Sequence, residues 1–134
     1  MSDFNTQIIE EFRANGGKVA QFGDAPMIIL NTIGAKSGKL RETPLVVLVE
    51  DDGMYVFASK AGGPSHPDWY HNLKANPEIK VEQGAESFTA RLTELSEEES
   101  QRKIQAQAEL MPQFAEYVTS AAPRLIPAFS ITRI

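Results

Sequence analysis

The apolar residues of this chain fall into short runs punctuated by glycine, proline, asparagine and aspartate, and that rhythm limits the fold more than any other feature. MIILNTI (27–33), TPLVVLVE (43–50), MYVFAS (54–59), IKVEQ (79–83), SFTARLTEL (87–95) and the tail IPAFSITRI (126–134) have the length and residues of strands. GAKSGKLR (34–41), Asp51-Asp52-Gly53 and Gly84-Ala85 turn the chain between them. In the second hairpin Phe88, Ala90 and Leu92 alternate with Thr89, Arg91 and Thr93, which predicts one buried face.

Three segments carry helical spacing instead. Phe4, Ile8, Ile9 and Phe12 predict a helix over Phe4–Ala14, stopped by Asn15-Gly16-Gly17. Ser65 and Asp68 have capping-box spacing and Pro67 suits a first turn, so a short helix is expected over His66–Ala75, ending at Asn76-Pro77. Ser96 and Glu99 form a second capping box ahead of a stripe of Ile104, Ala108 and Met111, which Pro112 interrupts and Phe114, Tyr117, Val118 and Ala121 continue.

The order is helix, three strands, helix, two strands, helix, strand, without repeats and without βαβ alternation. A chain of 134 residues has room for one core. The expectation is one α+β domain over residues 1–134, with an N-terminal helix within 1–16. A small antiparallel six-stranded barrel with flanking helices fits, since closure removes unpaired edges.

A formal charge of -5 leaves no broad basic surface for nucleic acid. With no cysteine, thiolate metal sites and cysteine nucleophiles are excluded, and redox chemistry needs a bound cofactor. The start, MSDFNTQIIEEF, lacks the basic and apolar regions of a signal peptide, and LVVLV is far too short to span a bilayer. A cytoplasmic protein without an integral membrane segment is expected.

Against that acidic background, GAKSGKLR sets Lys36, Lys39 and Arg41 beside Ser37 and Gly38, a combination of cations, hydroxyl and backbone amides that suits a phosphate. Taken alone, it reads equally as a hairpin turn with solvated lysines. It is not a Walker A loop, because Leu40 stands where the metal-binding hydroxyl belongs and a strand follows; no G-x-G-x-x-G occurs either.

ASKAGGP (58–64) ends a strand in glycines that allow close approach of a flat ring, or it is a surface loop. His66 and His71 are about 140° apart round a helix, so they cannot chelate one metal, and no metal site is expected. Trp69 reads first as packing. Glu97, Glu98 and Glu99 complement a helix dipole and do not read as a catalytic carboxylate pair.

Taken together, LNTIGAKSGKLRETPL, the strand ending in ASKAGGP and HPDWYHNLKANPEIKVE resemble the deazaflavin (coenzyme F420)-dependent nitroreductase family, from about Pro26 to the last strand. The resemblance implies a split β-barrel and a cofactor with an 8-hydroxy-5-deazaflavin ring and an anionic phospholactyl-oligoglutamate tail. It implies that Lys36, Ser37, Gly38, Lys39 and Arg41 hold the phosphate, that Thr43 and Pro44 lie beside the ring, and that Ser59, Lys60, Ala61, Gly62 and Gly63 line its polar edge. Trp69 and Asn72 match the family's W-x-x-N-L segment, which packs beneath the cofactor. The implied reaction is hydride transfer to an enone, quinone or nitro compound followed by protonation, for which Tyr117, at i, i+3 from Phe114, is the candidate donor. Some members carry a tyrosine where Phe114 stands, so nitroimidazole reduction is not implied here. An FMN-dependent split-barrel enzyme and a non-catalytic cofactor- or lipid-binding protein are the alternatives; a homodimer is compatible with all three.

Overall fold

The computed structural model describes residues 4–20, 23, 25–63 and 65–134. The side chains of Phe4, Asn5 and Ala61, and Pro64 as a whole, lie outside the described residues.

The first helix, α1, spans Phe4–Ala14. Its Ile8, Ile9 and Phe12 are buried with Met27 and Ile29 of β1 (Met27–Ile33). It stops where Gly16 and Gly17 turn to positive φ and the Gly17 N–H reaches back to the Phe12 carbonyl, a left-handed cap. Gly17 is also needed for space, because a Cβ there would stand 2.7 Å from Cα of Gly84.

The run TPLVVLVE is two strands. β2 (Leu40–Val46) pairs with β1, whereas β3 (Leu48–Glu50) pairs with β4 (Gly53–Phe57). With β5 (Glu78–Gln83), β6 (Glu86–Glu94) and β7 (Ala128–Arg133) they form one antiparallel sheet in the order β2-β1-β5-β6-β7-β4-β3. The strand count is therefore seven, not six. β2 and β3 sit at opposite ends of that order, so the chain must leave one end and join the other at Val47, which is buried and gives its N–H to the Pro26 carbonyl. That connection accompanies a sheet curled into a half-barrel. No glycine or proline marks the bend, which is why an unbroken apolar run concealed it.

Inside the curl, Ile28, Leu30, Val56, Val81 and Phe129 pack around Trp69 and Leu73 of α2 (Asp68–Ala75). Outside it, Tyr55 and Phe57 face α3 (Glu97–Leu110) and α4 (Gln113–Ala121), and Ile29 faces α1. β1 is thus covered on both sides, the reason its sequence is nearly all apolar. Pro112 separates α3 from α4, and Ser96 Oγ accepts the Glu99 N–H as the capping box requires.

The expected cap on α2 does not form. His66 precedes a proline, whose ring bars it from helical dihedrals, so the helix starts at Asp68 behind an uncapped Pro67. Ser65 Oγ accepts instead from Lys60 Nζ at 3.3 Å.

Arg13 binds α1 to the sheet through Glu82 on β5 and Glu42 on β2, at 2.7 and 2.5 Å. The hydrogen bond from Arg13 holds the Glu82 carboxyl below its ordinary 4.5, against the opposing effect of burial. A folded pKa below the unfolded one means that this stabilisation is present above about pH 4.5 and is lost as pH falls through the depressed folded value. Urea titrations at pH 7 and pH 3 are expected to show Glu82→Gln with a flatter acid loss than the parent. Equal slopes would remove Glu82 as its source.

Candidate cofactor cleft

The β1–β2 hairpin closes tightly at its tip. The Gly34 N–H donates to the Lys39 carbonyl at 2.8 Å, the Gly38 N–H to the Gly34 carbonyl at 2.9 Å, and the Lys39 N–H to Ser37 Oγ at 3.2 Å. Gly38 takes φ +70, a left-handed conformation suited to glycine. Arg41 belongs to β2 and not to the turn, so its guanidinium is carried by a strand. Among the described residues the side chains of Lys36, Lys39 and Arg41 make no ion pair and no hydrogen bond; of the two carboxylates that line the adjoining cleft, Glu42 is held by Arg13 and Asp68 is paired with none of these cations. Elsewhere Lys74, Arg91, Lys103 and Arg133 are each paired with a glutamate.

Beside this hairpin lies a cleft of about 770 Å³, within the size range of cofactor sites. Its wall includes Lys36, Ser37, Arg41 and Thr43 from the hairpin, Trp69, His71 and Asn72 from α2, and Thr6 and Ile9 from α1. Trp69 serves two surfaces, since its ring also lies 5.8 Å from that of Phe129 in the core.

Asn72 is the strut between the two walls. Its Oδ1 accepts the Ala35 N–H at 2.9 Å and its Nδ2 donates to Thr32 Oγ1 at 3.2 Å. At 6% exposure it needs both partners, and the loop needs it. Asn72→Ala is expected to cost about 2 kcal/mol in stability by removing both hydrogen bonds of a buried side chain. Chemical denaturation measures this; a loss under about 0.5 kcal/mol, the range of ordinary surface changes, would show the strut to be dispensable.

Other candidates lie outside that wall. Gly38 and Lys39 are exposed at the hairpin tip, and Pro44 is half-buried on β2. Ser59 is half-buried and precedes a 3-10 turn over Lys60–Gly62. Gly62, at φ +80, touches α4: a Cβ there would lie 2.7 Å from Cβ of Ser120 and 3.0 Å from Cα of Tyr117. The half-buried Tyr117 ring is 5.1 Å from Phe114, edge to face, and Phe114 is 5.9 Å from Phe57. Its hydroxyl has no hydrogen-bond partner among the described residues. The structure therefore joins the hairpin to α2 in one cleft and the glycine loop to Tyr117 in a second contact.

Sequence reasoning missed Arg124. From the connection between α4 and β7 it donates to the carbonyls of Ala58, Ser59 and Gly63. Its Nη1 also stands 3.0 Å from His66 Nδ1. A guanidinium can only donate, so Nδ1 accepts and His66 carries its proton on Nε2. Burial, with the charge of Arg124 second and His71 third, pushes the His66 imidazole below its ordinary range. An arginine near proline and leucine gives no local signal of such a role.

The F420H(2)-dependent quinone reductase family model matches residues 5–132 of this chain. An F420H(2)-dependent quinone reductase of Mycobacterium tuberculosis (strain H37Rv) is 38% identical over 79 residues, covering 58% of this chain and 53% of that protein. The chain thus matches about half the length of this relative. A solved F420-H2 dependent reductase (FDR-A) is 42% identical with a TM-score of 0.68, covering 79% of this chain and 93% of its own. A solved chain described as a domain-swapped dimer is 36% identical with a TM-score of 0.69, covering 93% of each. Because the family match runs from α1 to β7 and takes in both the hairpin and α2, this chain belongs to the F420H(2)-dependent quinone reductase family.

Proposed function

We propose that this protein is an F420-dependent reductase, an oxidoreductase of split β-barrel fold that transfers hydride from the reduced deazaflavin to a small activated acceptor, foremost a quinone. The observation that carries the reading is the convergence of Lys36 and Arg41, neither paired with a carboxylate among the described residues, on the cleft that Trp69 also lines. Two cations unpaired among the described residues, beside the Ser37 hydroxyl, fit an anionic phosphate tail, and the volume leaves room for more of the cofactor.

In this reading Lys36, Ser37 and Arg41 hold the phosphate, Gly38 shapes the turn, and Lys39 adds its charge from the exposed tip, with Thr43 and Pro44 beside the ring. Ser59, Lys60, Ala61, Gly62 and Gly63 form its polar edge. Trp69 packs against it, while Asn72 acts through the loop it braces. When bound, the reduced deazaflavin supplies two electrons as hydride. The chain supplies orientation and exclusion of water. The Tyr117 hydroxyl gives the proton to an acceptor oxygen, so that a quinone leaves as the hydroquinone. Phe114 has no hydroxyl to offer, which places quinones and enones ahead of nitro compounds. The enzyme is taken to be cytoplasmic; among the described residues no helix is long and apolar enough to cross a membrane. A homodimer is part of the proposal, supported by the relative described as a domain-swapped dimer.

Titration with the deazaflavin and, separately, with FMN tests the assignment. Saturable fluorescence quenching and a raised melting temperature are expected with the deazaflavin alone. A protein that is yellow as purified and binds FMN more tightly would overturn it in favour of a flavin enzyme.

A further inference from the structure

We propose that Arg124 is the positioning residue of the hydride-transfer site, setting through three backbone carbonyls where the glycine loop stands relative to Tyr117. The proposal rests on the functional reading above.

The first ground is how completely the guanidinium is engaged. Nε and Nη2 donate to the Gly63 carbonyl at 3.2 and 2.9 Å, Nη2 also to Ser59 at 2.9 Å, and Nη1 to Ala58 at 3.0 Å. With His66 Nδ1 as a further acceptor at 3.0 Å, all three nitrogens have partners. Residues 58, 59 and 63 bracket the loop at both ends, so one rigid fork sets its width.

The second ground is the absence of a carboxylate. Arg124 makes no ion pair among the described residues, although it is half-buried. Withdrawing a cation from water without a counterion costs free energy, so the carbonyl contacts must offset it. Its charge lies behind the peptides that form the proposed polar edge of the site.

The third ground is the contact that the loop makes at Gly62. Gly62 lies against α4 so closely that a Cβ would meet Tyr117 Cα and Ser120 Cβ. Arg124 thus holds the two ends of the loop while α4 stands against Gly62 within it. The distance from the loop to the Tyr117 hydroxyl is thereby set by Arg124, which touches neither cofactor nor acceptor in this reading. His66 belongs to the same clamp, because only its Nε2–H tautomer can accept from the guanidinium.

Arg124→Met keeps length and removes every donor; Arg124→Lys keeps charge and removes the fork. Steady-state kinetics with the deazaflavin and a quinone are expected to show kcat falling about a hundredfold in Arg124→Met, with KM within about threefold, the pattern of misplacement and not of lost binding. Amide exchange at Gly62 and Gly63 is expected to quicken at least about tenfold. Arg124→Lys should fold like the parent and still lose about tenfold in kcat, since an ammonium lacks the fork that spans the loop. Nitrogen NMR of the parent should find His66 protonated on Nε2.

Parental kcat in either variant, unchanged Gly62 and Gly63 exchange in Arg124→Met, or a parent His66 protonated on Nδ1 overturns the proposal. Should Arg124→Met fail to fold, Arg124→Lys decides it by kcat. A parent protein that does not bind the deazaflavin overturns the functional reading and this proposal together. A parent that turns over, matched by variants that do so equally well, overturns this proposal alone.

Discussion

Replacing Lys36 and Arg41 together by alanine is expected to weaken deazaflavin binding on the order of a thousandfold while leaving the melting temperature nearly unchanged. Each cation lines the cleft and has no ion-pair partner among the described residues, so its removal strands no carboxylate there and costs the fold little. A charge-assisted contact to phosphate contributes about 1.5–3 kcal/mol, and two such contacts account for about three decades in Kd. Lys39→Ala is expected to lose less than about tenfold, because Lys39 is exposed outside the cleft wall. Fluorescence titration at fixed ionic strength measures all three proteins. A double variant that binds within tenfold of the parent would move the anion site elsewhere.

Gly62→Ala is expected to cost about 3–4 kcal/mol, against about 1–2 kcal/mol for Gly38→Ala. The two glycines share a left-handed backbone, φ +80 and φ +70, so the strain of adding a Cβ is alike. Their surroundings differ: nothing lies within 4 Å of a Cβ on Gly38, whereas one on Gly62 meets Ser120 Cβ at 2.7 Å. The difference between the two losses in urea denaturation therefore isolates the contact between loop and α4. Equal losses would mean that α4 yields freely. Gly62→Ala should also lower turnover, since displacement of α4 moves Tyr117.

Much of the local structure was legible from the chain. α1 keeps the limits that its apolar spacing and Asn15-Gly16-Gly17 predict, because a helix and its left-handed stop depend on residues a few places apart. The Ser96–Glu99 cap, the break at Pro112 and the hairpin at Gly84 are local in the same sense. Where a local rule failed, another local rule had prevailed, as Pro67 did over Ser65 at the start of α2.

The cationic hairpin, the glycine loop and the W-x-x-N helix were all visible as segments, and their order pointed to the family. Spacing could not say that Asn72 reaches across to Ala35 and Thr32, or that Arg124 gathers the carbonyls of Ala58, Ser59 and Gly63. Nor could it say that Lys36 and Arg41 line the cleft while Lys39 does not.

By itself the sequence determined the turns, the helix ends and the identity of the charged and aromatic groups available for chemistry, since these follow from dihedral preference and periodicity. Tertiary structure alone decided that the run through Val47 is two strands at opposite ends of a curled sheet, and which distant carbonyl or carboxylate each donor meets. The physical reason is that a hydrogen-bonding group is obliged to find a partner, but nothing in its own neighbourhood names a partner tens of residues away.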